Sequence, residues 1–199
     1  MNLATSAHER TQCANQHGPS CTCQMHPLPS EMTVREARDV YPAENGFTVA
    51  AYEALTTQGS FLGHKFAVPN PPAHQRAIRL HDLHHVATGF GTDHAGEGEI
   101  SAWQLRRGLG GAGLYVRSVV LANAGLGIAL ATRRTLAALR QPSAGGSLFR
   151  VNIDYESLLE QSVGELRAML AIPASGLAVG RRGLHALAPG EGHVVKTRL

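Results

Sequence analysis

The sequence has little that would cross-link, export or anchor the chain. Three cysteines among 199 residues are too few for a disulfide scaffold, because one would stay unpaired. The first ten residues contain neither an apolar stretch nor a run of Arg, so we expect no secretory signal and no transit peptide. A P-loop, a Rossmann glycine fingerprint and a G-x-S-x-G turn are also missing. These absences favour a reducing, cytoplasmic location and disfavour the common nucleotide-binding and serine-hydrolase classes.

Acidic residues are missing from residues 100–153, which hold seven Arg. The net charge of the whole chain is only +3, so we expect no nucleic-acid partner. The longest uncharged run in this stretch, residues 118–132, has 15 residues, fewer than the roughly 18 of a spanning helix. We therefore predict no transmembrane helix. An apolar helix ringed by Arg could still lie peripherally on a membrane, although an ordinary solvated face is the plainer interpretation.

The chain divides into three parts by composition. Residues 1–31 are polar, without helical or strand periodicity, and predict a disordered leader. Residues 174–199 predict a loose tail, and residues 32–173 a single helical, metal-binding domain. Five leader residues could bind metal, but their spacing matches no zinc module, and a disordered segment without a metal is the favoured interpretation. They are Cys13, His17, Cys21, Cys23 and His26.

The core predicts an all-α fold of about six helices. Capping residues, Gly or Pro terminators and apolar spacing define each segment. The segment 33–40 opens with a Thr33/Glu36 capping box, and 70–88 begins with Asn70 as the N-cap and ends at Gly89. The other predicted helices cover residues 47–55, 95–107, 113–140 and 154–170.

Potential metal ligands cluster in HDLHHVATGFGTDHAGEGE, residues 81–99. Each helical residue turns by about 100°, so His81, Asp82 and His85 fall within an arc of about 100°. After a glycine-rich turn, Glu97 begins the next helix and could face them. Glu99 should point away from the same metal. Imidazoles and carboxylates on facing helices hold Zn²⁺, Fe²⁺ or Mn²⁺ in helical proteins, whereas a solvated His-rich helix end is the plainer alternative.

The spacing H-D-x-x-H-x(11)-E resembles the metal motif of the coenzyme Q (ubiquinone) biosynthesis protein family, fourth member of the COQ series. The match gives His81, Asp82, His85 and Glu97 as metal ligands. Further segments resemble the compact bacterial form of that family across residues 32–173; they are ARDVYPAENGF (37–47), VPNPPAHQRAIRLHDLHH (68–85), GEGEISAW (96–103) and LLEQSVGELRAML (158–170).

The resemblance implies a helical protein that binds a divalent metal, with zinc favoured and iron or manganese open. It also implies a prenylated quinone precursor or polyprenyl lipid as ligand, peripheral attachment to the inner face of the membrane, and other quinone-biosynthesis proteins or a second copy of the chain as partners. The implied reaction is that of a lyase, the oxidative C1 decarboxylation or hydroxylation of a prenylated 4-hydroxybenzoate. No catalytic residue is assigned.

Several functional alternatives remain open on the sequence. The apolar residues 114–131, with Gly125 and Gly127, could line a polyprenyl groove or form an ordinary buried helix. His84 and His94 border the motif as proton carriers or surface residues, the latter favoured for His94. The metal could serve an enzyme, a lipid-binding scaffold in which it is structural, or a hydrolase with the same ligands.

Overall fold

The computed structural model describes residues 28–44, 52, 54, 56–61, 64–69 and 71–178. Most of the predicted leader 1–31, including its Cys/His cluster, and most of the tail 174–199 lie outside the described residues. The helix predicted at 47–55 also lies outside them, apart from Tyr52 and Ala54.

The described residues confirm the predicted all-α class. They contain six α-helices, in chain order α1 (Val34–Glu44), α2 (Pro72–Thr88), α3 (His94–Arg107), α4 (Leu114–Leu139), α5 (Tyr155–Leu159) and α6 (Val163–Met169). A short 3-10 turn, Leu148–Arg150, lies between α4 and α5. The predicted boundaries of α3 and α4 agree with the structure to within about one residue.

One antiparallel hairpin was not predicted from the sequence. Its strands are β1 (Thr56–Phe61) and β2 (His64–Pro69), with Thr56 paired to Pro69 and Phe61 to His64. The hairpin precedes α2 and forms no larger sheet within the described residues. It therefore adds a local feature without changing the helical class.

Local capping explains most helix boundaries. The backbone N–H of Thr33 donates to Glu36 at 3.0 Å and that of Glu36 to the Thr33 hydroxyl at 3.2 Å, which confirms the predicted capping box. Gly89 ends α2 with φ of 77°, a left-handed conformation that favours glycine. The start of α2 differs from the prediction, because the N-cap is Pro71 and not Asn70; Pro72 then occupies the first turn, where a missing N–H is harmless.

The helix predicted at residues 154–170 is wrong as one element, because it is divided into α5 and α6. Asp154 caps α5 as predicted, accepting from the Ser157 backbone N–H at 3.0 Å. Ser162 and Glu165 then form a second, reciprocal capping box, which starts a new helix. A sequence of the S-x-x-E type inside a helical segment thus favoured a new N-terminus over continuation.

The buried side chain of Arg167 connects the two ends of the described core. The Arg167 guanidinium donates to the carbonyls of Leu28 at 2.9 Å, Ala87 at 3.0 Å and Ala174 at 2.8 Å. Leu28 is buried in the main apolar cluster, and the Leu177 N–H donates to the Thr88 carbonyl. The described packing therefore reaches into both flanking segments.

Helices α3 and α4 approach each other closely at two glycines. A Cβ on Gly98 would lie 2.4 Å from the Cα of Gly127, so neither position has room for a side chain. On the C-terminal side of this crossing, α4 bends at Ala131, whose φ and ψ are −144° and 48°. After the bend, Arg134 forms an ion pair with buried Glu99 of α3 at a distance of 2.5 Å, which connects the two helices.

The apolar helix α4 lies mostly on the surface, which contradicts its alternative interpretation as an ordinary buried helix. Leu114, Leu121 and Leu130 are 85%, 58% and 61% exposed. Among the described residues, α4 is also the one helix long and apolar enough to cross a membrane. Length and composition alone are weak indicators of a span, and the charge-interrupted run in the sequence predicts against one.

Candidate metal centre

The candidate centre is formed where α2 ends and α3 begins. His81 and His85 lie one turn apart on α2, and Glu97 lies in the first turn of α3. Gly89 ends α2, and Asp93 caps α3 by accepting from the Gly96 N–H at 2.7 Å. This tight reversal carries Glu97 back to the two imidazoles.

The three predicted ligand side chains converge through the atoms that bind metals. Glu97 carboxylate oxygens lie 3.4 Å from Nε2 of His81 and 3.3 Å from Nε2 of His85. The two Nε2 atoms are 3.1 Å apart. Ligand atoms of the three residues all lie within 4.8 Å of one another, which is the arrangement expected for one shared cation.

Asp82, the fourth predicted ligand, does not belong to this group of converging ligand atoms. It is buried, and its carboxylate accepts a hydrogen bond from the Tyr52 hydroxyl. Burial raises the pKa of Asp82, while the neighbouring His81 and the hydroxyl of Tyr52 oppose that shift. Its place is beside the centre, where a negative charge would favour a bound cation.

A backbone carbonyl orients His85. The Nδ1 atom of this fully buried ring lies 3.0 Å from the Phe90 carbonyl oxygen, which can only accept. Nδ1 therefore carries a proton, and in the neutral ring Nε2 offers its lone pair toward Glu97. Such a carbonyl partner is the usual way in which a protein orients a metal-binding histidine.

Electrostatics at the centre favour positive charge between the ligands. Burial opposes a charged His81, but its hydrogen bond and attraction to Glu97, helped by Asp82, raise its pKa above the ordinary value. Burial alone would raise the pKa of Glu97, yet His85 and His81 hold it well below its usual range. A carboxylate kept ionised in a buried site needs a cation, either a proton shared by the imidazoles or a metal.

Two buried polar residues complete the centre. His84, one of the bordering histidines, is completely buried, which excludes its alternative as a surface residue. The side-chain amide of Gln104 lies 2.9 Å from Nδ1 of His84 and 2.9 Å from Nδ1 of His81. Sequence reasoning missed Gln104, although it follows Glu97 by seven residues and so shares its helix face.

Other residues near the motif lie where the sequence predicted. His94 is exposed, and Trp103 is fully buried in the core. Glu99 pairs with Arg134 instead of joining the centre. Of the Arg residues in the acid-free stretch, Arg107 is buried over the ring of Trp103 and donates to the carbonyls of Ala144 and Leu170.

A cavity of about 230 Å³ borders the centre. Its walls come mainly from α2, α3 and α4 and are largely apolar; the lining residues are His74, Ala77, Ile78, His81, Glu97, Ser101, Val116, Val119, Val120, Asn123 and Phe149. Two of the ligand residues thus face both each other and the cavity. A molecule in the cavity would lie against any metal held by them.

The donor set suits a divalent transition metal. Two imidazoles and one carboxylate, with room beside them, occur in catalytic zinc sites and in non-haem Fe²⁺ oxygenases. Comparisons with protein-family models, curated proteins and solved structures found no match for this chain. The proposal that follows therefore rests on the geometry and on the motif resemblance.

Proposed function

We propose that the chain binds one divalent metal through His81, His85 and Glu97 and brings an apolar ring substrate to it. The observation that carries this proposal is the convergence of the three ligand atoms at the wall of a largely apolar cavity. Asp82, a ligand by the motif, contributes negative charge from beside the centre in this geometry.

Three protein ligands favour a catalytic over a structural metal. Structural zinc is usually enclosed by four protein ligands, whereas catalytic zinc and non-haem iron keep open positions. When bound, the metal would supply a Lewis acid to a substrate oxygen, and iron would in addition allow chemistry with O₂. Zinc is the metal favoured by the resemblance, and the two-imidazole, one-carboxylate set gives iron equal standing.

The cavity dimensions indicate what enters. Its volume is slightly below the roughly 300–1,000 Å³ of pockets that enclose a drug-sized ligand. A ring fits this space, whereas a long polyprenyl chain does not. The exposed apolar side chains of α4, which also provides Val116 and Val119 to the cavity wall, offer that chain a surface to follow.

These features agree with the reaction implied by the family resemblance. We propose oxidative decarboxylation at C1 of a prenylated 4-hydroxybenzoate: the C1–carboxyl bond breaks and CO₂ leaves, a hydroxyl group from water is bonded to C1, and O₂ accepts the two electrons and two protons as H₂O₂. The chain's own residues would hold the ring beside the ligands, and the apolar walls would exclude bulk water. Attachment to a cytoplasmic membrane surface through α4 belongs to the same proposal.

The test is release of labelled CO₂ from the carboxyl-labelled substrate by Fe²⁺-loaded protein in the presence of O₂, because zinc does not change oxidation state. Wild type should release it and Glu97→Gln should not. Glu156→Gln, a change of the same kind at an exposed position, is the matched control and should retain activity. Metal binding without CO₂ release by wild type would contradict the proposed reaction.

A scaffold that binds lipid without turnover is the second candidate. The observation in its favour is the large exposed apolar surface of α4, since contiguous apolar patches commonly mark interaction sites. Its partners would be quinone-biosynthesis proteins or a second copy of the chain. Polyprenyl lipid that copurifies with metal-loaded but inactive protein would support this candidate.

A further inference from the structure

The buried ring of His84 has its proton position determined by the backbone. The Leu148 N–H donates to Nε2 of His84 at 2.9 Å, at the start of the 3-10 turn. A backbone amide only donates, so Nε2 must carry the lone pair. An imidazolium donates at both ring nitrogens, so a ring that accepts at Nε2 is neutral. Its single proton is therefore on Nδ1.

This proton determines which end of the Gln104 amide faces the histidines. The amide nitrogen is placed 2.9 Å from Nδ1 of His84, while the amide oxygen is buried without a donor among the described residues. If Nδ1 carries the proton, two N–H donors would face each other there. If it does not, His84 would have to accept at both ring nitrogens, which a neutral imidazole cannot do. Amide nitrogen and oxygen are nearly identical in shape, and the network assigns them. With the amide reversed, its oxygen accepts from His84 and the conflict disappears.

The reversed amide would also place this oxygen about 2.9 Å from Nδ1 of His81, where the amide nitrogen now lies. A carbonyl oxygen has two lone pairs, so it accepts from both rings at once. His81 must then carry its proton on Nδ1 as well, and its Nε2 lone pair is directed at Nε2 of His85, 3.1 Å away. Since the Phe90 carbonyl imposes the same arrangement on His85, both rings offer lone pairs to one point.

We propose that Gln104 is a positioning residue, whose carbonyl oxygen links the Leu148–His84 contact to His81 and holds His81 in the tautomer that binds the metal through Nε2. The inference rests on the proposed metal centre and deepens it. The second partner of a metal-binding histidine typically changes metal affinity by about 10–100-fold. Neither Gln104 nor His84 belongs to the H-D-x-x-H-x(11)-E spacing.

Substitutions at Gln104 distinguish the two amide orientations. Gln104→Glu replaces the amide with a group that only accepts, so zinc affinity should stay within about threefold of wild type. Gln104→Met removes the acceptor at similar length, and zinc affinity should fall by about 10–100-fold. If the amide donates instead, it holds the His81 proton on Nε2, so Gln104→Glu should raise zinc affinity by more than about tenfold by freeing that nitrogen. Equal affinity of Gln104→Met and wild type would also overturn the inference. Should Gln104→Met fail to fold, the Gln104→Glu result decides alone.

The tautomers can be measured without relying on metal affinity. Long-range proton–nitrogen NMR spectra of the metal-free protein should show His84 protonated at Nδ1 only, and zinc-loaded protein should show the same for His81. A His84 proton on Nε2 would overturn the inference. If wild type binds no zinc, the metal centre fails, but the His84 spectrum still decides the orientation of Gln104. If wild type binds zinc and Gln104→Met binds it equally, only the role of Gln104 fails.

Discussion

The α2–α3 centre and the helix α4 reverse the usual distribution of polar and apolar residues. At the centre, His84 and His85 are fully buried and held by an amide and by backbone groups. Along α4, large aliphatic side chains such as Leu121 and Leu130 are mostly exposed, although the same helix lines the cavity beside the centre.

The contrast indicates that the two regions would be stabilised by different partners, a cation at the centre and an apolar surface along α4. The buried centre brings two imidazole nitrogens and a carboxylate to one point, where a cation would stabilise them. The exposed helix has apolar area that water solvates poorly, so contact with a lipid or protein surface would stabilise it. Changes to the centre should therefore alter metal binding, and changes to the outer face of α4 should alter association while leaving the fold intact.

The largest effect is expected from removing one imidazole. His85→Ala should lower zinc affinity by more than about 100-fold, since two ligands remain and the Phe90 carbonyl loses its donor. Stability should also fall by about 1–3 kcal/mol, because a buried carbonyl is left unpaired. Zinc titration and denaturant unfolding measure the two effects. The exposed His94→Ala is the control, and unchanged zinc affinity in His85→Ala would remove the centre as described.

Substitutions at Gly98 and Gly125 compare the packed crossing of α3 and α4 with the open face of α4. Gly98→Ala should destabilise the fold by about 1–3 kcal/mol, because its methyl group would overlap Gly127. Gly125→Ala meets nothing within 4 Å and should stabilise by about 0.5–1 kcal/mol through helix propensity. Chemical denaturation measures both. Equal effects of the two changes would contradict the close crossing of the helices.

The pH dependence should have opposite signs for the metal-free fold and for metal binding. The raised pKa of His81 stabilises the metal-free fold below about pH 6.5, and this contribution is lost as pH rises through the folded-state pKa. Zinc must displace that proton. Its affinity should therefore rise by up to about tenfold per pH unit until the pH reaches the folded-state pKa of His81, and then level off. Unfolding and zinc titrations across pH test this, and zinc affinity independent of pH would contradict it.

The smallest effect on stability is expected on the outer face of α4. Leu121→Gln should change the free energy of unfolding by less than about 0.5 kcal/mol, since the side chain is mostly exposed. Its neighbour Val120 is buried against the cavity, so Val120→Ala should destabilise by about 1–2 kcal/mol. Sedimentation with anionic lipid vesicles should show weaker association for Leu121→Gln only. Unchanged association would argue against this face as the contact.

The sequence predicted well what is local. The Thr33/Glu36 capping box, the glycine that ends α2 and the limits of α3 and α4 follow from neighbouring residues, so the pattern alone suffices. Placing Glu97 opposite His81 and His85 also succeeded, because a short turn between two helices leaves few arrangements.

The failures concern contacts between segments distant in sequence. Helical spacing puts Asp82 near His81, but the Tyr52 hydroxyl, thirty positions away in the chain, accounts for its carboxylate. Nothing local indicated that the Leu148 backbone would contact His84. The sequence left open whether α4 is buried or exposed, since an apolar run looks the same whether it faces a core or a surface.

The most direct test of the central claim is X-ray absorption at the metal edge, on the full chain purified without a His-tag or chelator. We predict about one metal per chain with only nitrogen and oxygen ligands, including the signature of two imidazoles. The absence of metal, or sulfur ligands indicating the Cys/His-rich leader, would contradict a centre built from His81, His85 and Glu97.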